Sequence, residues 1–231
     1  MAPDRVSRIF YRHMRLSGLL SGYLALTTLV AAQPPQGTPE PPAKRLSATV
    51  GVAVAEYAKG VDPSGKIISA VEIDEAAGFL REAHDVARRL VMPNADAVRV
   101  LLDSLGAAVA RRAPPPELAQ IHHKFVVALG VEGALEYPTR APDTVRGKAI
   151  FVQSCVQCHG VSGAGDGPQA KSISPPPEPI GSRAKMHAVS PALMYRVVSV
   201  GVPGTTMPAW ASLLGSDDRW AVVAYLNSLR A

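Results

Sequence analysis

The chain has 231 residues, of which 47% are hydrophobic, an ordinary proportion for a globular protein that by itself indicates no function class. Its formal net charge is +5, but four arginines lie within the first fifteen residues, and the remainder carries 20 basic against 18 acidic residues. That near balance, without a basic stripe carrying interleaved aromatics, gives no support for nucleic-acid binding.

Residues 1–32 have the order of a secretory signal peptide: a basic start, an apolar run from Leu16 to Val30, and two small residues, Ala31 and Ala32. We expect cleavage near Ala32 and a periplasmic location. The alternative is an uncleaved anchor that tethers the protein to the membrane. Export with cleavage is favoured because the run is only about seventeen residues long, whereas a spanning helix needs about 20.

A proline-rich linker is predicted over residues 33–45, since five prolines fall between Gln33 and Pro42 and favour extended chain. Residues 46–136 then show helical periodicity, and three or four helices are predicted, enough for a small helical bundle. The apolar faces of the three clearest helices are Ala77, Leu80, Ala87 and Val91; Val98, Leu101, Leu102, Leu105 and Val109; and Leu118, Ile121, Phe125 and Leu129.

A second linker is predicted at residues 137–142, where two prolines in six residues stop the preceding helix. Residues 143–231 then form a second domain with three helices. Their starts are predicted at Asp143, at Ser190 followed by Pro191, and at Ser216 followed by two aspartates. The fold class expected for the whole chain is all-α.

The irregular chain between the first two of these helices, Gly160 to Val189, is thirty residues long. Loops above about 12 to 15 residues are uncommon in compact domains unless they are functional or disordered. A large embedded cofactor would account for this length.

Cysteines occur only in the sequence Cys155-Val156-Gln157-Cys158-His159. This is the C-x-x-C-H pattern of covalent haem attachment. Residues three apart share a helix face, so both thiols can reach the two vinyl groups on one porphyrin edge, and the adjacent histidine then faces the iron. The pattern predicts one covalent haem c.

A redox-active dithiol and a zinc site are the two alternatives to haem attachment at this cysteine pair. A redox-active dithiol needs no following histidine, and a zinc site needs two further ligands. His122, His123 and His187 are the available histidines, but their spacing from the cysteines is not that of a zinc finger. Haem attachment is favoured.

A second axial ligand is predicted at Met207, which lies 48 residues after His159 in the sequence Gly204-Thr205-Thr206-Met207-Pro208. A methionine followed by proline in a loop between helices has a fixed backbone approach, as a His/Met-ligated iron requires. Met186 and Met194 are the competing candidates, and Met194 is expected to fill the core.

Residues 143–229, within the second domain, resemble class I cytochrome c, in which an N-terminal helix packs across a C-terminal helix around the haem. The resemblance implies that Gly147 and Phe151 lie at the crossing, facing Trp220 and Tyr225. It also implies that Pro168 supplies the carbonyl that holds the haem-ligating histidine, a bond that raises the basicity of the imidazole.

The segment from about Leu46 to Leu229 is also similar to the extracytoplasmic portion of bacterial Ftr-type iron permeases, in which a helical domain and a cytochrome c precede the permease. The shared phrases include Gly163-Ala164-Gly165-Asp166-Gly167-Pro168 and Gly201-Val202-Pro203-Gly204. This sequence lacks the permease helices and their Arg-Glu iron motifs, so the resemblance implies that an iron permease would be a separate partner.

The function expected is electron transfer by a periplasmic monohaem cytochrome, not enzyme catalysis, because His and Met on both sides of the iron leave no open position. Periplasmic or membrane redox partners are implied. Two alternatives remain open: an accessory haem subunit of a membrane permease or dehydrogenase, and a haem enzyme or gas sensor. His84 is interpreted as a packed side chain and not as a ligand. The acidic residues from Glu72 to Asp85 are interpreted as part of a solvated helix face.

Overall fold

The structure, a computed structural model, describes residues 40–230, which belong to one compact unit. Within that range the fold is all-α, as predicted, and the chain forms no strand, only an isolated antiparallel bridge between Val61 and Ile67. The α-helices are α1 (Pro42–Gly60), α2 (Ala70–Ala87), α3 (Ala95–Ala110), α4 (Pro115–Leu129), α5 (Thr144–Ser154), α6 (Val156–His159), α7 (Arg183–Met186), α8 (Pro191–Val200) and α9 (Ser216–Leu229).

The predicted signal peptide and the first part of the predicted linker, residues 33–39, lie outside the described residues. None of the helices within residues 40–230 combines the length and the apolar character needed to span a bilayer.

Helix α1 begins earlier than the sequence suggested, because the linker prediction of 33–45 runs into it. Pro41 is extended and Pro42 occupies the first helical turn, where a missing N–H and a fixed φ are favourable. Ala43 and Leu46 are both buried, so packing stabilises this first turn. Pro41 and Pro42, the last two of the five prolines that indicated a tether, therefore lie at the start of a helix that runs through the core.

The amphipathic faces predicted for α2, α3 and α4 are largely confirmed. Their main apolar positions are buried in one core with α1, as Leu80, Leu102 and Phe125 illustrate. The prediction that Val91 lies on the buried face of α2 was wrong. Val91 is 93% exposed, because α2 ends at Ala87 and the chain turns before it reaches Val91.

Helices α5 and α9 cross at Gly147, as the resemblance to class I cytochromes implied. A Cβ atom at this position would lie 2.0 Å from the carbonyl oxygen of Ala221, so only glycine permits this approach of the two main chains. Phe151 of α5 and Tyr225 of α9 meet with ring centroids 5.4 Å apart. The crossing places the end of α5, and thus the cysteine motif, against a second core, which is formed by buried residues of α5, α8 and α9.

Helix α8 contributes to both cores. Val200 is buried with the residues of α1 to α4, whereas Met194 and Tyr195 are buried with α5 and α9. Met194 is thus a core residue, as predicted. The division into domains at 46–136 and 143–231 stays a prediction, since the two segments pack through this shared helix.

A buried ion pair lies where the two cores meet. Arg219 Nη1 lies 3.0 Å from Glu40 Oε1, with side chains 5% and 11% exposed, and the guanidinium stacks over the Tyr195 ring at 4.7 Å. The indole of Trp220 donates to the carbonyl of Glu136 at 2.6 Å. These contacts join the start and end of the helical segment to α8 and α9.

Candidate functional site

The cysteine motif lies where α5 passes into α6. The amides of Cys158 and His159 both donate to the carbonyl of Cys155, at 3.2 and 2.9 Å, so the motif forms a single helical turn. The only two cysteines of the chain are both half-buried and unbridged. Two free thiols three residues apart on one turn are the arrangement that covalent haem attachment requires.

Burial sets the protonation of this motif. It raises the pKa of Cys155 to about 11, with a smaller effect from Cys158, so the thiol is protonated at neutral pH. It lowers the pKa of His159, and the backbone of Glu178 opposes this to a lesser extent. A neutral imidazole keeps a nitrogen lone pair available for a metal.

The chain after His159 folds back onto the motif. Gly165 donates to the carbonyl of His159 at 2.9 Å, and Gly167 donates to that of Cys158 at 3.2 Å. A Cβ atom at Gly167 would lie 2.4 Å from the carbonyl oxygen of Val156, so this turn too requires a glycine.

The carbonyl partner of His159 was predicted to be Pro168, and this stays a prediction. Within residues 40–230 the buried Nδ1 of His159 has no hydrogen-bond partner. The backbone group that acts on its pKa belongs to Glu178. Sequence reasoning missed Glu178, because no local pattern relates it to His159, which lies nineteen residues earlier in the chain.

Met207 lies in a loop that begins where α8 ends at Gly201. Gly201 has φ +73°, and a Cβ atom there would lie 2.6 Å from the Met207 carbonyl oxygen. The amide of Val202 donates to that same oxygen at 3.1 Å. The predicted fixed backbone approach of Met207 is therefore present, and its side chain is half-buried.

A cleft of about 400 Å³ lies between this loop and the helical segment. Met207 and Thr205 form one side, and Arg45 and Glu82, which pair at 2.5 Å, lie on the other. The cysteines and His159 do not line it. Helices α1 and α2 thus border one side of the loop that carries Met207.

A carboxylate cluster is the main titratable group outside the motif. One oxygen from each of Glu56, Glu72 and Glu75 lies within 4.8 Å of the others. Burial and a hydrogen bond with Glu56 raise the pKa of Glu72 to about 7. The interpretation of this stretch as a solvated face was therefore wrong for Glu72 and Glu75, which are half-buried.

The histidines that a zinc site would need do not gather around the cysteines among residues 40–230. Among residues 40–230 the only group of three potential metal ligands is the carboxylate cluster. His84 is hydrogen-bonded to Asp103 at 2.9 Å and to the Leu80 carbonyl at 2.7 Å, which supports the packing interpretation. His187 is exposed.

The residues present fit a covalently attached haem. Two free thiols and a neutral imidazole lie on one turn, and a thioether follows in a loop with a fixed main chain. Six buried polar side-chain atoms within residues 40–230 lack partners, and one of them, His159 Nδ1, belongs to the cysteine motif itself. Buried polar atoms without partners are rare and often mark a missing bound group.

Comparison with known proteins supports this assignment. Residues 142–226 match the family described as cytochrome c oxidase, cbb3-type, subunit III. The cbb3-type cytochrome c oxidase subunit FixP of Bradyrhizobium diazoefficiens is 27% identical over 128 residues, which cover 48% of this chain and 42% of FixP. The chain thus spans less than half of that relative.

A solved structure, the reducing HAO-like protein complex of Kuenenia stuttgartiensis, contains a chain that is 28% identical. The match covers 50% of this chain and 59% of that one, with a TM-score of 0.39. Residues 142–226 are a c-type cytochrome domain, on the family match and the FixP match. A domain of this type implies covalently bound haem c and electron transfer.

Proposed function

We propose that this protein is a periplasmic electron carrier with one haem c, bound covalently by Cys155 and Cys158 and ligated axially by His159 and Met207. The observation that carries the proposal is the turn at Cys155–His159, with two unbridged thiols beside a neutral imidazole. The haem supplies the one-electron iron couple. The chain supplies attachment, two axial ligands and a packed surrounding.

The roles of the ligands follow from their chemistry. A neutral imidazole binds either oxidation state, whereas a soft thioether favours the ferrous state and raises the reduction potential. With His159 and Met207 both bound, the haem would have no open position for a substrate, and the chemistry it would supply is electron transfer alone. The proposed protein is therefore a relay and not an enzyme.

The test is expression with a haem-maturation system, followed by intact mass and by absorption spectra of the reduced and the oxidised protein. Wild type should gain the mass of one haem, and Cys155→Ala should lose one of the two thioether bonds. Met207→Ala should lose the charge-transfer band of methionine-ligated ferric haem. Met186→Leu and Met194→Leu are the matched controls and should keep that band. Wild type without covalent haem would refute the proposal.

An accessory subunit is the second candidate, because the matched relative is named as an oxidase subunit. In that case the helical segment, with the haem domain fixed to it through α8, would bind a membrane partner. Affinity purification from native membranes tests this. Recovery of a stoichiometric membrane protein supports the subunit, and recovery of the cytochrome alone supports the carrier.

Three finer points have their own tests. A gas sensor or haem enzyme would bind carbon monoxide or cyanide on mixing, so a spectrum that is unchanged on mixing and changes only slowly afterwards supports the relay. Periplasmic export predicts a mature N-terminus near residue 33 in the periplasmic fraction. The link to a separate iron permease rests on the sequence resemblance, and reduction of the ferric protein by ferrous iron would support it.

A further inference from the structure

The loop that carries Met207 begins with a tight turn. The amide of Thr205 donates to the carbonyl of Val202 at 3.2 Å, which closes a four-residue turn with Pro203 and Gly204 at its centre. Proline fixes φ at the first central position, and Gly204 has φ +77° at the second. The turn therefore places Thr205 at a fixed point two residues before Met207.

The Thr205 hydroxyl forms two hydrogen bonds. It donates to the carbonyl of Val202 at 2.9 Å and accepts the amide N–H of Met207 at 3.1 Å. The Met207 carbonyl is already held by the amide of Val202 at 3.1 Å. Both main-chain polar groups of Met207 are thus bonded inside one small loop.

We infer that Thr205 is a positioning residue for the distal ligand, an inference that rests on the proposed ligation by Met207. The hydroxyl fixes the Met207 amide, so the only remaining freedom of the thioether is rotation of its own side chain. Without the hydroxyl, the half-buried amide has no acceptor in the loop, and the main chain around Met207 can move. The thioether then leaves the iron more often.

The neighbouring residue provides a matched comparison. Thr206 has the same side chain in the same loop, but it is exposed and its hydroxyl forms no hydrogen bond within residues 40–230. Replacing either threonine by valine removes one hydroxyl at nearly constant shape. Only the Thr205 replacement removes a bond to Met207.

The experiment uses the full-length holoprotein of Thr205→Val, Thr205→Ser, Thr206→Val and Met207→Ala. The first measurement is the rate at which carbon monoxide binds the ferrous protein, since it binds only when the thioether has left. One lost hydrogen bond shifts an equilibrium by about fivefold, so Thr205→Val should bind about fivefold faster than wild type. Thr205→Ser and Thr206→Val should remain within about twofold of wild type.

The second measurement is hydrogen exchange of the Met207 amide. Its rate reports directly on the hydrogen bond from this amide to the Thr205 hydroxyl, and the measurement needs no redox partner. Thr205→Val should exchange faster, and Thr205→Ser should not. If Thr205→Val fails to mature, the comparison of Thr205→Ala with Thr205→Ser makes the same test.

The outcomes separate this inference from the proposed function. A carbon monoxide rate that Met207→Ala leaves unchanged would show that Met207 is not the ligand. If Met207→Ala raises the rate but Thr205→Val matches Thr206→Val in both measurements, the positioning role of Thr205 is overturned while the ligand assignment stands.

Discussion

Replacement of Gly147 by alanine tests the helix crossing that presents the cysteine motif. The added Cβ would lie 2.0 Å from the carbonyl oxygen of Ala221 and 2.4 Å from its carbon, both main-chain atoms of α9. These atoms cannot rotate away, so the two helices must separate, and overpacking this severe costs about 3 kcal/mol, the upper end of the usual range. Alanine also favours the helix by about 1 kcal/mol. We expect a net loss of about 2 kcal/mol in the free energy of unfolding.

Gly106→Ala is the matched control, because Gly106 is also inside a helix but its added Cβ would meet only His84 Cε1 at 3.8 Å. That variant should gain up to about 1 kcal/mol from helix propensity alone. Urea unfolding of the two ferric holoproteins, followed by circular dichroism, gives both values. A Gly147→Ala protein that unfolds at the wild-type urea concentration or above would refute the close approach of α5 and α9.

Three further outcomes are expected. Asp143→Ala removes the N-cap of α5 and should lower the free energy of unfolding by about 1 kcal/mol in the same urea assay. Glu40→Ala leaves Arg219 buried without its carboxylate and should cost about 3 kcal/mol, whereas Arg140→Ala, in an exposed pair, should cost less than about 0.5 kcal/mol. The pKa of Glu72 is raised from 4.5 to about 7, chiefly by burial, so the native state holds a proton that the unfolded state releases. Stability should fall as the pH rises between these values, and Glu72→Gln should flatten that fall in urea titrations.

The sequence determined the haem-binding motif because its contacts are local. Cys155, Cys158 and His159 lie within one helical turn, where spacing alone decides which side chains share a face. The helix starts at Asp143 and Ser190 were predicted for the same reason, since each side chain accepts a hydrogen bond from an amide within three residues.

Contacts between distant segments were decided only by the tertiary structure. Glu56 comes from α1, whereas Glu72 and Glu75 come from α2, so no local pattern could show their shared burial. Burial of Ala43 and Leu46 likewise placed Pro42, the last residue of the proline-rich stretch, in the first turn of a helix that the proline content alone did not predict.

Glu178 shows the same limit within the haem domain itself. It lies nineteen residues after His159, and only the path of the folded loop brings its backbone to the imidazole. The sequence by itself predicts which residues attach the haem, because the proposed chemistry fits in one helical turn. The tertiary structure decided what surrounds and holds those residues, because burial and approach depend on segments far apart in the chain.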